Sequence, residues 1–217
     1  MLKLSSKIAC NSTHIGWSFF YIQYLANNLK GETQFCVTAI NPFMIPFLLF
    51  LLLPLAEPLQ SHLIEWNSAR KLDWNDFQGK PKDESDNAAL TSSNINFQFG
   101  YGSAGFSYTI SCRFDKNQSW VKVKSDHVLA HEQGHFDIAE IHARKLNKAL
   151  KAYKYNRNTV SKDVNKIYED TMRSHHEMQG VYDRETDHSR NKTKQDEWYK
   201  KIANDLKTLE SYADYKK

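Results

Sequence analysis

The stretch His131-Glu132-Gln133-Gly134-His135 constrains this chain more than any other. Two histidines four residues apart on a helix are turned from each other by only about 40°, so both imidazoles can reach one ion. A glutamate directly after the first histidine can take a proton from a water on that ion. Zn2+ is the metal expected for two neutral imidazoles plus one further ligand.

The motif needs a helix, and residues from about Asp126 to about Tyr153 supply one, with no proline and a single glycine. Val128, His131, His135, Ile138, Ala139, His142, Leu146 and Ala149 share a stripe roughly 100° wide, which puts both histidines on a packed face. Ser125 and Asp126 are N-cap candidates. This helix offers no third ligand. The extension H-E-x-x-H-x-x-G-x-x-H fails, because Ile138 and Ile141 stand where glycine and histidine are required. His142 lies about 10 Å along the axis from His135, too far for the same ion. Glu140 points roughly opposite to His131 and reads as a tether to a neighbouring element. The third ligand must come from elsewhere.

Before the helix the period is two. Ile95, Phe97, Phe99 and Tyr101 form one strand, and Phe106, Tyr108, Ile110, Cys112 and Phe114 a second. Trp120 to Lys124 is read as a third, giving an antiparallel meander with one buried face. Trp66 to Pro81 reads as an irregular lead-in. After the helix, Asn156-Arg157-Asn158 breaks the pattern, and a second helix is expected from near Thr159 to near Gly180. Within it, His175 and His176 read as part of a polar face. Val181 to Asn191 reads as a polar turn, and a last helix runs from about Lys192 to about Tyr212 with Trp198, Ile202, Leu206 and Leu209 on one face. The fold class is therefore α+β: a small antiparallel sheet, the H-E-x-x-H helix and further helices, in one domain over residues 62–217.

The first part of the chain is different. Residues 1–41 form an uncertain N-terminal extension without a clear period. Residues 42–61 contain an uncharged apolar run of 14 residues, Phe43 to Ala56, with two prolines. A membrane span needs roughly 20 apolar residues, so this run reads as the core of a signal peptide, removed near Ala56 or Ser61. Met44 opens the run and is a candidate start of translation. The expected location is secreted, periplasmic or in the cell envelope, with membrane contact only through this segment. Cys10 and Cys36 precede the run and only Cys112 follows it, so the remainder has no disulfide framework. Cys112 reads as a packed core residue. The net charge of +4 has no basic stripe with interleaved aromatics, which argues against a nucleic-acid partner.

A strand, then an H-E-x-x-H helix, then a further helix is similar to the zincin metallopeptidases. More closely, Ile64 to Leu209 resembles a bacterial family of predicted secreted zinc-dependent proteases otherwise described as a domain of unknown function. The resemblance rests on Leu72-Asp73-Trp74-Asn75-Asp76-Phe77-Gln78-Gly79, Ala88-Ala89-Leu90-Thr91, His131 to Glu140, Tyr182-Asp183-Arg184-Glu185-Thr186-Asp187-His188, and Gln195 with Trp198. That pattern has a glycine where this chain has Ser189. It implies zinc-dependent hydrolysis of a protein or peptide substrate, with Glu132 as general base and His188 as the third metal ligand beside His131 and His135. Asp183, Glu169, Glu177, His175, His176 and Glu140 are further candidates for that third position; Asp183 otherwise holds an imidazole by its second nitrogen. Tyr182 either donates a hydrogen bond to the oxyanion or is a packed ring with its hydroxyl at the surface. The rival functions are a non-catalytic envelope binding protein with a structural zinc, and an amidase acting on cell-wall material.

Overall fold

The computed structural model describes residues 62–81 and 83–215. The expectations for residues 1–61, the extension and the signal-like run, lie outside the described residues. Among the described residues no helix is long and apolar enough to cross a membrane.

The period-two segments form a hairpin, β3 (Ser93–Gly102) with β4 (Gly105–Asp115), in a register that pairs Ile95 with Cys112 and Phe97 with Ile110. Ile95, Phe97, Ile110, Cys112 and Phe114 are buried, so one face of the hairpin is core, and Cys112 is packed as expected. The third strand differs from expectation. The other edge of β4 is taken by β1 (Leu63–Glu65), giving the order β1-β4-β3. β5 (Trp120–Val121) instead pairs with β2 (Ala89–Leu90) in a separate ladder. The lead-in enforces this. It runs against the turn after β4, with Gln78 N–H donating to Lys116 O at 2.9 Å and Gly79 N–H to Ser119 O at 2.7 Å. A Cβ on Gly79 would lie 2.8 Å from both Asn117 O and Ser119 O, so only glycine allows that approach.

Helix α1 (Asp126–Ala152) begins where expected, with the Ser125 side chain accepting from Val128 N–H at 3.2 Å. It is buried on more than one stripe. Phe136, Ala139, Ala143, Leu146 and Leu150 pack with the buried face of the sheet. Ile138 and Ile141 pack with Tyr182, Trp198 and Ile202 from the two helices that follow. In a helix so enclosed a buried polar group without a partner is costly, and most have one. Fully buried Glu140 accepts from Arg144 Nε at 2.8 Å and from the Tyr215 hydroxyl at 2.5 Å, which is the tethering role expected of it.

Helix α2 (Val160–Thr186) runs well past Gly180, where the sequence pattern suggests an end. Met172, His175, Tyr182 and Thr186 are buried along one face, so the apolar period passes through the glycine. The chain leaves the helix through three consecutive residues of positive φ, Asp187 (50°), His188 (49°) and Ser189 (74°). The left-handed region favours glycine. Ser189 therefore adopts a glycine-like backbone at the position where the resembled pattern has glycine. Helix α3 (Lys192–Thr208) and a 3-10 turn (Glu210–Tyr215) close the chain, with Trp198, Ile202 and Leu209 buried. The architecture is α+β.

Candidate metal centre

The two motif histidines lie on the flank of α1 that faces α2. His131 Nε2 and His135 Nε2 are 3.1 Å apart. Asp183, from the last turns of α2, places Oδ1 3.2 Å from His131 Nε2 and 3.0 Å from His135 Nε2. These three atoms form a compact triangle, and among the described residues they are the group of ligand atoms suited to one ion. A tetrahedral shell with ligands at about 2.0–2.1 Å separates ligand atoms by roughly 3.3–3.4 Å, so the triangle has nearly the size that zinc requires.

The electrostatics favour positive charge at this point. Burial works against a charge on His135, but the Asp183 carboxylate outweighs it and, with Glu132 and Gln179, lifts the imidazole to about 9. Burial alone would raise Asp183, yet the two imidazoles carry it far below the usual carboxylate range. The group could hold a proton or a metal cation, and two imidazoles with one carboxylate are a donor set that suits zinc or ferrous iron.

Glu132 is buried (4% exposed), and its Oε2 finds no hydrogen-bond partner among the described residues. A buried, partnerless carboxylate oxygen is costly unless something else uses it. Exposure rises across the centre. The His131 side chain is 4% exposed, that of His135 15%, and that of Asp183 32%. The side open to solvent is therefore the carboxyl end of α2.

His131, Glu132 and His135 come together as the motif implies. The third member of the converging group differs from expectation: it is Asp183, and His188 does not belong to the group. His188 Nδ1 lies 3.7 Å from Asp183 Oδ1, on a half-exposed side chain. The reason is the longer α2, which carries Asp183 on its inner face and turns left-handed only afterwards, leaving His188 outside. Tyr182 is the packed ring of the second reading, but its hydroxyl is not at the surface. Its ring is fully buried and stacks on His131 with centroids 4.6 Å apart, and its hydroxyl donates to His131 O at 3.1 Å. Both its hydrogen and its position are committed to the helix, so it is no oxyanion donor and no surface hydroxyl. Gly134 exists for this contact: a Cβ there would fall on the Tyr182 hydroxyl and 2.8 Å from Cζ.

Glu169, His176 and Glu177 are exposed and take no part in the centre. His175 is buried rather than on a polar face. Burial first, then neighbouring His142, His176 and His135, push it down to about 3. Two residues absent from the expected site do touch it. Gln195 Oε1 is 2.7 Å from His131 Nδ1, and Gln179 Oε1 is 2.5 Å from His135 Nδ1. The available signal for Gln179 was its position one turn before Asp183, on the same helix face.

No curated protein and no solved structure matches this chain. Residues 64–189 match the model of one family, described as "Bacterial protein of unknown function (DUF922)", a description that names no activity. The match covers more than half of the chain and includes His131, Glu132, His135, Asp183 and His188, and the chain belongs to that family.

Proposed function

We propose that this protein is a secreted zinc-dependent hydrolase of peptide bonds, a zincin-like metallopeptidase, with His131, His135 and Asp183 as ligands and Glu132 as general base. The observation that carries the reading is the partnerless Oε2 of buried Glu132, one residue from the first of three converging ligand atoms. A structural metal site or a ferrous redox site has no use for a base there, whereas hydrolysis requires one.

His131, His135 and Asp183 would hold the ion. When bound, zinc supplies a Lewis acid that lowers the pKa of water and polarises a carbonyl. Glu132 takes the proton lost by the attacking water and delivers it to the leaving amine nitrogen as the C–N bond breaks. Tyr182 and Gly134 hold the first turn of the motif against α2, so that both imidazoles keep their orientation. Substrate would approach past Asp183 and His188, the exposed rim. The apolar run in residues 42–61 supports export.

The test uses the purified full chain and its Glu132→Gln variant, each loaded with zinc, on a mixed peptide library. Wild-type protein should cleave, and the variant should bind equal zinc yet turn over at least about a hundredfold more slowly. Equal turnover by the variant, or no cleavage by zinc-loaded wild type, would refute the proposal.

A further inference from the structure

We propose that Gln179 and Gln195 are positioning residues of this centre, each fixing a hydrogen on Nδ1 of one histidine and thereby aiming its Nε2 at the ion. The inference rests on the metal reading above for its purpose, but the hydrogen assignment stands on hydrogen bonds alone.

Two backbone carbonyls determine the assignment, because a carbonyl oxygen can only accept. Gln179 Nε2 lies 2.9 Å from His135 O, so the amide nitrogen of Gln179 must face that carbonyl. The same nitrogen lies 3.0 Å from Nε2 of buried His175, a second acceptor. Oε1 of Gln179 therefore faces His135 Nδ1, and that nitrogen must carry the hydrogen. On the other histidine the chain of logic has one more member. The Tyr182 hydroxyl has a single hydrogen and spends it on His131 O. Its oxygen then accepts from Gln195 Nε2 at 2.5 Å. Gln195 Oε1 is left facing His131 Nδ1, which must likewise carry its hydrogen.

Each imidazole is thus clamped to the backbone carbonyl of its own residue. For His135 a single carboxamide spans the two points. For His131 a carboxamide and a phenol share the task. With both Nδ1 atoms committed, the Nε2 atoms are the ones left for a ligand, and they meet at Asp183. A carboxamide suits the task better than a carboxylate here, since only an amide offers the donor that His135 O needs. Partners of this kind fix the tautomer and ring orientation of metal-bound histidines, and their loss typically weakens metal binding about 10–100-fold.

The test compares Gln179→Leu and Gln179→Glu in the full chain by zinc competition against a chromophoric chelator and by 15N-resolved spectra of the histidine rings in metal-free protein. Gln195 is fully buried, so partly buried Gln179 is the safer position. Gln179→Leu should bind zinc about 10–100-fold more weakly and lose the slowly exchanging Nδ1 hydrogen of His135. Gln179→Glu keeps an acceptor for Nδ1 but loses the donor to His135 O, so it should retain that hydrogen and bind zinc less weakly than the leucine variant. A merely structural role would make both variants follow their thermal stability, with Nδ1 unchanged. Leucine at wild-type affinity with unaltered ring signals, or glutamate as weak as leucine, would overturn the proposal. Wild-type protein that shows both Nδ1 hydrogens yet binds no zinc would overturn the metal reading and support the hydrogen assignment.

Discussion

Replacing Gly134 with alanine adds one methyl group in the interior of α1, where helix propensity alone favours alanine by about 1 kcal/mol. Here the methyl would overlap the Tyr182 hydroxyl and sit 2.8 Å from its Cζ. Tyr182 has nowhere to go. Its ring lies between His131, at a centroid distance of 4.6 Å, and Trp198, at 5.2 Å, and its hydroxyl is bonded on both sides. Overpacking of a rigid core group costs about 1–3 kcal/mol. Loss of the buried Tyr182 to His131 hydrogen bond costs about 1–3 kcal/mol more. Against the propensity gain, the net destabilisation is roughly 1–5 kcal/mol, or about 2–20 °C in Tm for a domain of this size. Urea unfolding followed by tryptophan fluorescence reads it directly. Adding Tyr182→Phe removes the overlapping oxygen, so the double variant should recover about 1 kcal/mol relative to additivity. Gly134→Ala at or above wild-type stability would refute the close-approach reasoning, and with it the account of why the motif's fourth residue is glycine.

Asp183→Ala should strip zinc from the purified protein, whereas His188→Ala should retain near-stoichiometric metal; elemental analysis showing the reverse would return the third position to His188. Glu140→Ala leaves Arg144, also buried, without its carboxylate and should cost about 3–5 kcal/mol in chemical unfolding; a loss within about 0.5 kcal/mol would mean that the Arg144 bond to Leu206 O suffices. Burial first, then the neighbouring Lys145 and Lys201, hold His142 down at about 4, even though its Nδ1–H donates to Ile138 O and Asp205 favours its charge. The unfolded histidine titrates near 6.5, so below that pH the unfolded chain binds a proton that the folded one refuses. This contribution to stability is complete above about pH 6.5 and falls by ~3 kcal/mol as the pH drops to about 4. Urea midpoints across that window should slope less steeply in His142→Asn, and identical slopes would exclude the residue.

Much of this was legible in the sequence because it is local. The period of two fixed the β3–β4 hairpin, Ser125 fixed the start of α1, and four-residue spacing fixed the meeting of His131 and His135. Glu140 read as a tether because nine residues of helix turn it away from His131. The departures come from long-range competition. β5 does not join the larger sheet, because three residues of β1, too short to show a period, already hold that edge of β4. Gly180 reads as a stop, but the burial of Tyr182 and Thr186 carries α2 past it. That single difference moves Asp183 from an interhelical turn to the inner face of a helix, and so exchanges it with His188. Tyr182 departs for the same reason: nothing local reveals that a glycine 48 positions earlier leaves room for its hydroxyl. Gln179 shows only as a neighbour one turn before Asp183, and Gln195 shows no spacing signal, since their histidine partners lie 44 and 64 residues away.

The measurement that tests the central claim most directly is X-ray absorption spectroscopy at the zinc edge on the zinc-loaded full chain. The account predicts one zinc per chain bound by two imidazole nitrogens and one carboxylate oxygen at about 2.0–2.2 Å, with a further light-atom ligand. The two-imidazole signal should vanish in His131→Ala and His135→Ala. A spectrum with three imidazoles, with sulfur, or with the hexaaqua ion unchanged by those substitutions would contradict it.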